Sequence, residues 1–262
     1  FGLTFAKSKD DVKSLNEEFY LDINDEVVSK PEDNIVLATD FRMAYNDQRV
    51  VVGAEIAGSM HNSNIVDGAM SSEEMEEEYG QSIPINPEDY EAIFVINSNM
   101  EPFIPSFSSL AYKGYFRAFF AGNLLNISYS GIGSAFHSLS TNVSSSDSGI
   151  LSVTDNLNFL NNQVSLGLNF NYVFDNLYQT KETTTTSINY NVMTAYRSRT
   201  QPIFVSLNFG SNSTENPGIE DSLSFSSATT NFNISTGYTV ETIPAAPTKF
   251  SVGFGSFSSG DP

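Results

Sequence analysis

Six charged residues fall where strand geometry could organise them into one wall. In the segment 34–45, Val36, Ala38, Asp40 and Arg42 share one face, opposite Leu37, Phe41 and Met43. Across a turn at Asn46-Asp47, Arg49 and Glu55 fall on the same face as Asp40 and Arg42. In that register Ala38 opposes Glu55 and Ala44 opposes Arg49, so the charges are diagonal neighbours within reach of long side chains. In the segment 108–121, Lys113, Tyr115 and Arg117 occupy the polar face. Two chemistries fit such a set: the charges line a water-filled lumen and set its ion preference, or they form a ladder of ion pairs that fills a closed barrel.

Other chemistry-bearing residues give weaker patterns. The acidic run Glu73, Glu74, Glu76, Glu77, Glu78 offers oxygen ligands for Ca²⁺ or Mg²⁺. It lacks the alternating Asp/Asn-plus-Gly spacing of a calcium loop, so a solvated helix face is expected, with divalent bridging to lipopolysaccharide phosphates as the other reading. His61 and His137, the only two histidines, both fall at strand-to-loop junctions. A barrel lipase would need Ser, His and an orienting partner brought together, and no nucleophile–base pair is set by spacing. No enzyme, metal or cofactor is therefore expected. Gly131-Ile132-Gly133 has no helix pattern after it, against a phosphate cradle. Asn126-Ile127-Ser128, Asn142-Val143-Ser144 and Asn212-Ser213-Thr214 match glycosylation acceptors at the rate expected by chance in so Asn/Ser-rich a chain.

The elements that must position these residues announce themselves by alternation. Val164, Leu166, Leu168, Phe170, Tyr172 and Phe174 lie on one face, against Ser165, Gly167, Asn169 and Asn171, with Val173 the exception. The pattern recurs in Ile188/Tyr190/Val192, Ile203/Val205/Leu207/Phe209, Phe232/Ile234/Tyr238/Val240 and Phe250/Val252/Phe254. Period two over such lengths marks strands with one wet and one apolar face. Strands are expected near 1–7, 34–45, 48–60, 108–121, 124–136, 149–160, 163–174, 185–197, 201–211, 223–240 and 247–258.

Turn chemistry supplies registers. A turn at Asn46-Asp47 pairs Met43 with Val50, Phe41 with Val52 and Leu37 with Ile56. One at Gly122-Asn123 pairs Phe120 with Leu125, Ala118 with Ile127 and Phe116 with Tyr129. One at Asn161-Asn162 pairs Phe159 with Val164 and Leu157 with Leu166. Every pair is apolar, as a correct register requires. Only Asp155 misfits, falling on the apolar face opposite Leu168, and a bulge at Thr154 to Asn156 is expected to re-aim it.

Short connections (46–47, 122–123, 161–162, 198–200, 241–246) alternate with long ones (8–33, 61–107, 137–148, 175–184, 212–222). This places tight turns at one end of the sheet and long loops at the other, as in transmembrane barrels. Most of the strands also exceed the ~9–11 residues of a tilted membrane strand, whereas strands of soluble sandwiches are typically ~5–6 long. The loop 61–107 carries local helix signals. Ser71-Ser72-Glu73-Glu74 is a capping-box pattern, and Pro87-Glu88-Asp89 starts a second helix through Asn97. Tyr45, Tyr112, Tyr129, Tyr172, Tyr190 and Tyr238 lie mostly on apolar faces, where a barrel concentrates its aromatic girdles.

Composition narrows the class further. The chain has 262 residues, enough for one large all-β domain or two small ones, and a formal net charge of −19. That charge excludes nucleic acid as a partner. Of the 31 acidic residues, 22 lie before position 102, and residues 161–262 hold only 11 charges of either sign. There is no Cys, so disulfides and thiolate metal sites are excluded. No run of about 20 apolar residues can form a transmembrane helix. The chain begins at Phe1 with no leader, so any secretory signal is expected upstream or removed.

Local strings also carry a resemblance: Pro31-Glu32-Asp33-Asn34, Ser109-Leu110-Ala111-Tyr112, Phe136-His137-Ser138-Leu139, and Asp175-Asn176-Leu177 followed by Thr183 to Thr186. With the alternation and loop sorting, they resemble porin-like β-barrels of the Gram-negative outer membrane, and in particular an uncharacterised subgroup of large bacterial barrels, over roughly residues 30 to 210. The resemblance implies fold and location only.

The expected fold is an all-β, antiparallel up-and-down transmembrane β-barrel over 1–262, with short helices in the acidic loop 61–107. Eleven strands are an odd count, while bacterial single-chain barrels have an even one. The chain also ends in Gly260-Asp261-Pro262 without a terminal aromatic. A portion of a larger barrel is therefore expected. Its partners would be outer-membrane lipid and lipopolysaccharide, small solutes or ions, and an oligomer mate or partner protein. The rival is a secreted or surface-exposed β-sandwich adhesin with inward apolar faces.

Overall fold

A computed structural model of the chain describes residues 1–14, 30–79, 86–101, 106–139, 147–198, 203–218, 224–240 and 248–260. Twelve antiparallel strands form one sheet: β1 (Gly2–Lys9), β2 (Asp33–Tyr45), β3 (Val50–Asn62), β4 (Met100–Glu101), β5 (Leu110–Phe120), β6 (Asn123–Ile132), β7 (Ser148–Phe159), β8 (Val164–Asp175), β9 (Thr186–Arg197), β10 (Ile203–Asn216), β11 (Phe225–Val240) and β12 (Thr248–Gly260). Their order is β1-β2-β3-β5-β6-β7-β8-β9-β10-β11-β12, with β4 paired to β3 off this path. Eleven of these strands are the eleven expected. The twelfth, β4, is a two-residue return of the long loop, setting Glu101 opposite His61 and Met100 opposite Asn62. The sheet is open: among the described residues β1 and β12 each pair on one side only.

The turns differ in detail from expectation. The first hairpin closes with four residues, Asn46 to Arg49, three of which (Asn46, Asp47, Gln48) have positive φ. The second turn is Ala121-Gly122, one residue earlier than expected, with φ of 49° and 84°. Positive φ at both central residues is the hairpin turn whose twist matches the strands, and Gly tolerates it best. A Cβ on Gly122 would also meet the Asn158 carbonyl oxygen at 2.7 Å. The third turn is Leu160 to Gln163, again with three positive-φ residues, and keeps the expected pairs Phe159↔Val164 and Leu157↔Leu166. Moving a turn by one residue moves each pair by two, so every side chain keeps its face. The expected bulge at Thr154 to Asn156 is not formed: pairing runs unbroken from Ser148↔Asp175 to Phe159↔Val164, leaving Asp155 opposite Leu168. β6 ends at Ile132, short of the expected 136. A Cβ on Gly133 would lie 1.9 Å from the Ser108 carbonyl oxygen, so backbone approaches backbone there. The connection 241–246, part of 198–200 and the Asn142 acceptor lie outside the described residues.

The chain divides into two compact units, residues 1–40, 55–112 and 132–147, and residues 41–54, 113–131 and 148–262. The second unit is a ladder. One cross-strand row reads Leu168↔Val192, Val192↔Phe209 and Phe209↔Phe232, and the row on the other face reads Asn169↔Asn191, Asn191↔Gly210 and Gly210↔Asn231. Nothing described covers the apolar face. Leu168, Ile188, Tyr190, Phe209, Phe232 and Ile234 are each 38–41% exposed although every one sits between paired strands. Val51 and Ala118 are the only buried hydrophobic residues of this unit among those described. Full burial of such a side chain is worth about 1.5–3 kcal/mol, so in water one left about two-fifths exposed forgoes roughly 0.6–1.2 kcal/mol.

The first unit, by contrast, has a core. Ile35, Phe94 and Met100 pack together with Met60 and Ile96, and Ile65, Met70, Met75 and Val95 are also buried. The long loop supplies most of these. Its helix α1 (Ser72–Tyr79) starts at the expected capping box: the Ser71 N–H donates to Glu74 Oε2 at 2.8 Å, and the Glu74 N–H donates to Ser71 Oγ at 3.3 Å. The second helix shrinks to a 3₁₀ turn, Pro87–Tyr90. The reason is tertiary: the Val95 N–H donates to Asp33 Oδ2 and the Val95 carbonyl accepts from Asn62 Nδ2, so the backbone is held by β2 and β3 instead of its own i−4 partners.

Candidate functional site

The most concentrated chemistry lies in the first unit, where buried amides tie the loops to the strand ends. Asn34, 2% exposed, donates through Nδ2 to the carbonyls of Met60 and His137, both at 3.0 Å, and accepts the Leu139 N–H at 3.2 Å. The Ser59 hydroxyl accepts the His137 N–H at 3.0 Å. Asn62 and Asn97 form a second knot: Asn62 Nδ2 donates to Asn97 Oδ1 at 2.9 Å, and Asn97 Nδ2 donates to the carbonyls of Asn64 and Gly68. Asp33 is fully buried. Its Oδ1 lies 3.8 Å from Lys7 Nζ and has no hydrogen-bond partner.

These anchors bring three side chains together. His61 Nε2 lies 3.2 Å from Glu32 Oε2, and His137 Nε2 lies 3.9 Å from the same oxygen. The two imidazoles stack with centroids 3.9 Å apart and planes 25° from parallel. Burial lowers the His137 pKa, and the neighbouring His61 lowers it further, against the pull of Glu32. The Glu32 N–H is fixed at 2.9 Å on Asp10 Oδ2. The arrangement can share a proton between imidazole and carboxylate, or present nitrogen and oxygen ligands to a cation. Sequence reading located both histidines at strand-to-loop junctions but did not join them. The available signal was that the chain's only two histidines stand where the strand patterns of β3 and β6 give way to long connections. The strings Pro31 to Asn34 and Phe136 to Leu139 meet here.

The six charged wall residues do not form one cluster. In the first unit, Asp40 packs its carboxylate over Gly2, and Glu55 is exposed. In the second unit, Arg42 donates to Gln48 Oε1 at 2.8 Å, Arg49 is an exposed turn residue, and Lys113 and Arg117 are exposed on β5 on either side of Tyr115, whose ring lies over Gly53. Among the described residues none of the six makes an ion pair within 4.0 Å. The polar face of the later strands is instead a lattice of neutral groups. Ser152 Oγ donates to Asn171 Oδ1 at 2.6 Å, Asn191 Nδ2 donates to Asn208 Oδ1 at 2.8 Å, and the Ser206 and Ser235 hydroxyls are 2.6 Å apart.

The acidic run behaves as a solvated face: Glu73, Glu74, Glu76, Glu77 and Glu78 are exposed, and Met75 alone turns inward. No protein-family model, curated protein or solved structure matches this chain.

Proposed function

We propose that the chain forms part of the wall of a bacterial outer-membrane β-barrel, porin-like or transport-associated, with its apolar face in lipid and its polar face toward water. The observation that carries this reading is the uncovered apolar face of the second unit. A sandwich would bury that face under a second sheet, but the described strands form one sheet. Lipid would cover it instead.

A second feature supports the same reading. Tyr45, Phe120 and Phe159 are the last residues of β2, β5 and β7, and Tyr196 and Tyr238 lie within three residues of the ends of β9 and β11. All five are more than 40% exposed, and each precedes a short connection. Aromatics at the same end of every second strand, β2, β5, β7, β9 and β11, match the girdle that membrane barrels place at an interface. In this reading Asp40, Arg42, Arg49, Glu55, Lys113 and Arg117 line the lumen beside neutral amides, and small solutes or ions pass.

The test is extraction and migration. The full-length protein is expected in the membrane fraction, soluble only in detergent, with heat-modifiable electrophoretic mobility. Solubility without detergent overturns the membrane reading in favour of a sandwich-type binding protein. Single-channel steps in a planar bilayer separate an open pore from a filled barrel.

A further inference from the structure

We propose that Glu32, His61 and His137 form a binding site for a divalent transition-metal ion of the zinc class, which cross-links the segment before β2, the end of β3 and the segment after β6. One ligand atom from each residue lies within 4.8 Å of the other two. The His61–Glu32 and His137–Glu32 distances of 3.2 and 3.9 Å bracket the ligand–ligand separation of about 3.3 Å that follows from zinc bonds of about 2.0–2.1 Å at tetrahedral angles. Imidazole and carboxylate together suit zinc and its neighbours better than Ca²⁺ or Mg²⁺, which take oxygen.

The surroundings are those of a prepared site. The side chains of His61, Glu32 and His137 are 13%, 32% and 46% exposed, so a cation can enter while the ligands stay partly shielded. Their backbones are held by buried groups: Asn34 grips the carbonyls of His137 and of Met60, next to His61, and Ser59 takes the His137 N–H. Such outer partners fix ligand orientation in metal sites. Three protein ligands leave a fourth position for water, the arrangement of an open site. The proposal does not depend on the chain spanning a membrane.

The test uses the folded full-length protein without a histidine tag, stripped with chelator and titrated with Co²⁺, then with Zn²⁺. One equivalent of Co²⁺ is expected, with the visible d–d absorption of a four-coordinate ion, displaced by one equivalent of Zn²⁺. His61→Ala and His137→Ala are each expected to weaken binding at least tenfold, as is Glu32→Gln, while Glu76→Gln on the solvated face of α1 leaves it unchanged. No saturable binding, or binding that survives both histidine variants, overturns the site. If a histidine variant does not fold, X-ray absorption of the zinc-loaded wild type decides. Two imidazoles in the first coordination shell support the assignment, and a shell with none or one refutes it.

Discussion

The imidazole of His61, from the end of β3, stacks on the imidazole of His137, from beyond β6, at 3.9 Å between ring centroids. Neither strand carries the other to this meeting. It is made by Asn34, whose amide grips the chain beside one histidine and at the other. Glu32, two residues before Asn34, then brings Oε2 to 3.2 Å from His61 Nε2 and 3.9 Å from His137 Nε2.

Asn34→Ala should therefore loosen three segments at once. It leaves the carbonyls of Met60 and His137 and the N–H of Leu139 without their partner. Leaving buried groups unsatisfied costs about 1–3 kcal/mol, expected as a lowered denaturation midpoint. Hydrogen exchange at Leu139 should accelerate, while exchange in β8 to β10 should not change.

The start of α1 should be pH-sensitive. The Ser71 N–H and hydroxyl, both donating to Glu74, hold its carboxyl below the usual range. Because the folded value is depressed, the cap contributes fully above the unfolded value of about 4.3 and is lost as pH falls through the folded value. NMR should place the Glu74 midpoint below the ordinary glutamate value of about 4.3, and the Ser71 amide shift should follow it. Glu74→Gln keeps an acceptor for the box and should abolish the pH response.

Asp155 should be a liability that can be repaired. Its Oδ1 is buried without a hydrogen bond, on the face it shares with Leu157 and opposite Leu168. With that face in lipid, Asp155→Leu should raise the free energy of unfolding in lipid vesicles by about 1–2 kcal/mol. Asp155→Lys should lower it.

Lys113 and Arg117 test the lumen. A unit charge about 10 Å from a permeating ion in water changes its occupancy by a factor of about two. Each charge raises anion occupancy and lowers cation occupancy by that factor, so Lys113→Gln with Arg117→Gln should lower the anion-over-cation permeability ratio on the order of sixteenfold. The reversal potential under a salt gradient measures it, and an unchanged value removes these residues from the conduction path.

Much of this architecture could be read from residue types alone. The alternation of Val164 to Phe174 located β8 within one residue, because a strand with one wet face has a period that few other structures share. The Asn161-Asn162 register was readable for the same reason. The Ala121-Gly122 turn was misplaced because Gly-Asn suits positive φ at both positions whereas Ala adopts it only at a cost, and Ala121 nevertheless takes φ 49° in a turn whose Gly122 carbonyl accepts the Asn158 N–H at 3.0 Å. The helix expected through Asn97 was lost to Asp33 and Asn62, which compete for the backbone of Val95 from positions remote in the chain. The Glu32–His61–His137 cluster was unreadable on the same ground, since its geometry depends on a fold-back that no local pattern encodes.

The open edges of β1 and β12 carry a consequence of direction. Along the path from β1 to β12 there are eleven strands, each antiparallel to the last, so the first and the last point the same way. Joining these two edges directly would create a single parallel seam in an otherwise antiparallel ladder, with slanted hydrogen bonds along that one line. A ring with no such seam needs an odd number of strands inserted between β12 and β1, so one added strand would be enough to restore the alternation.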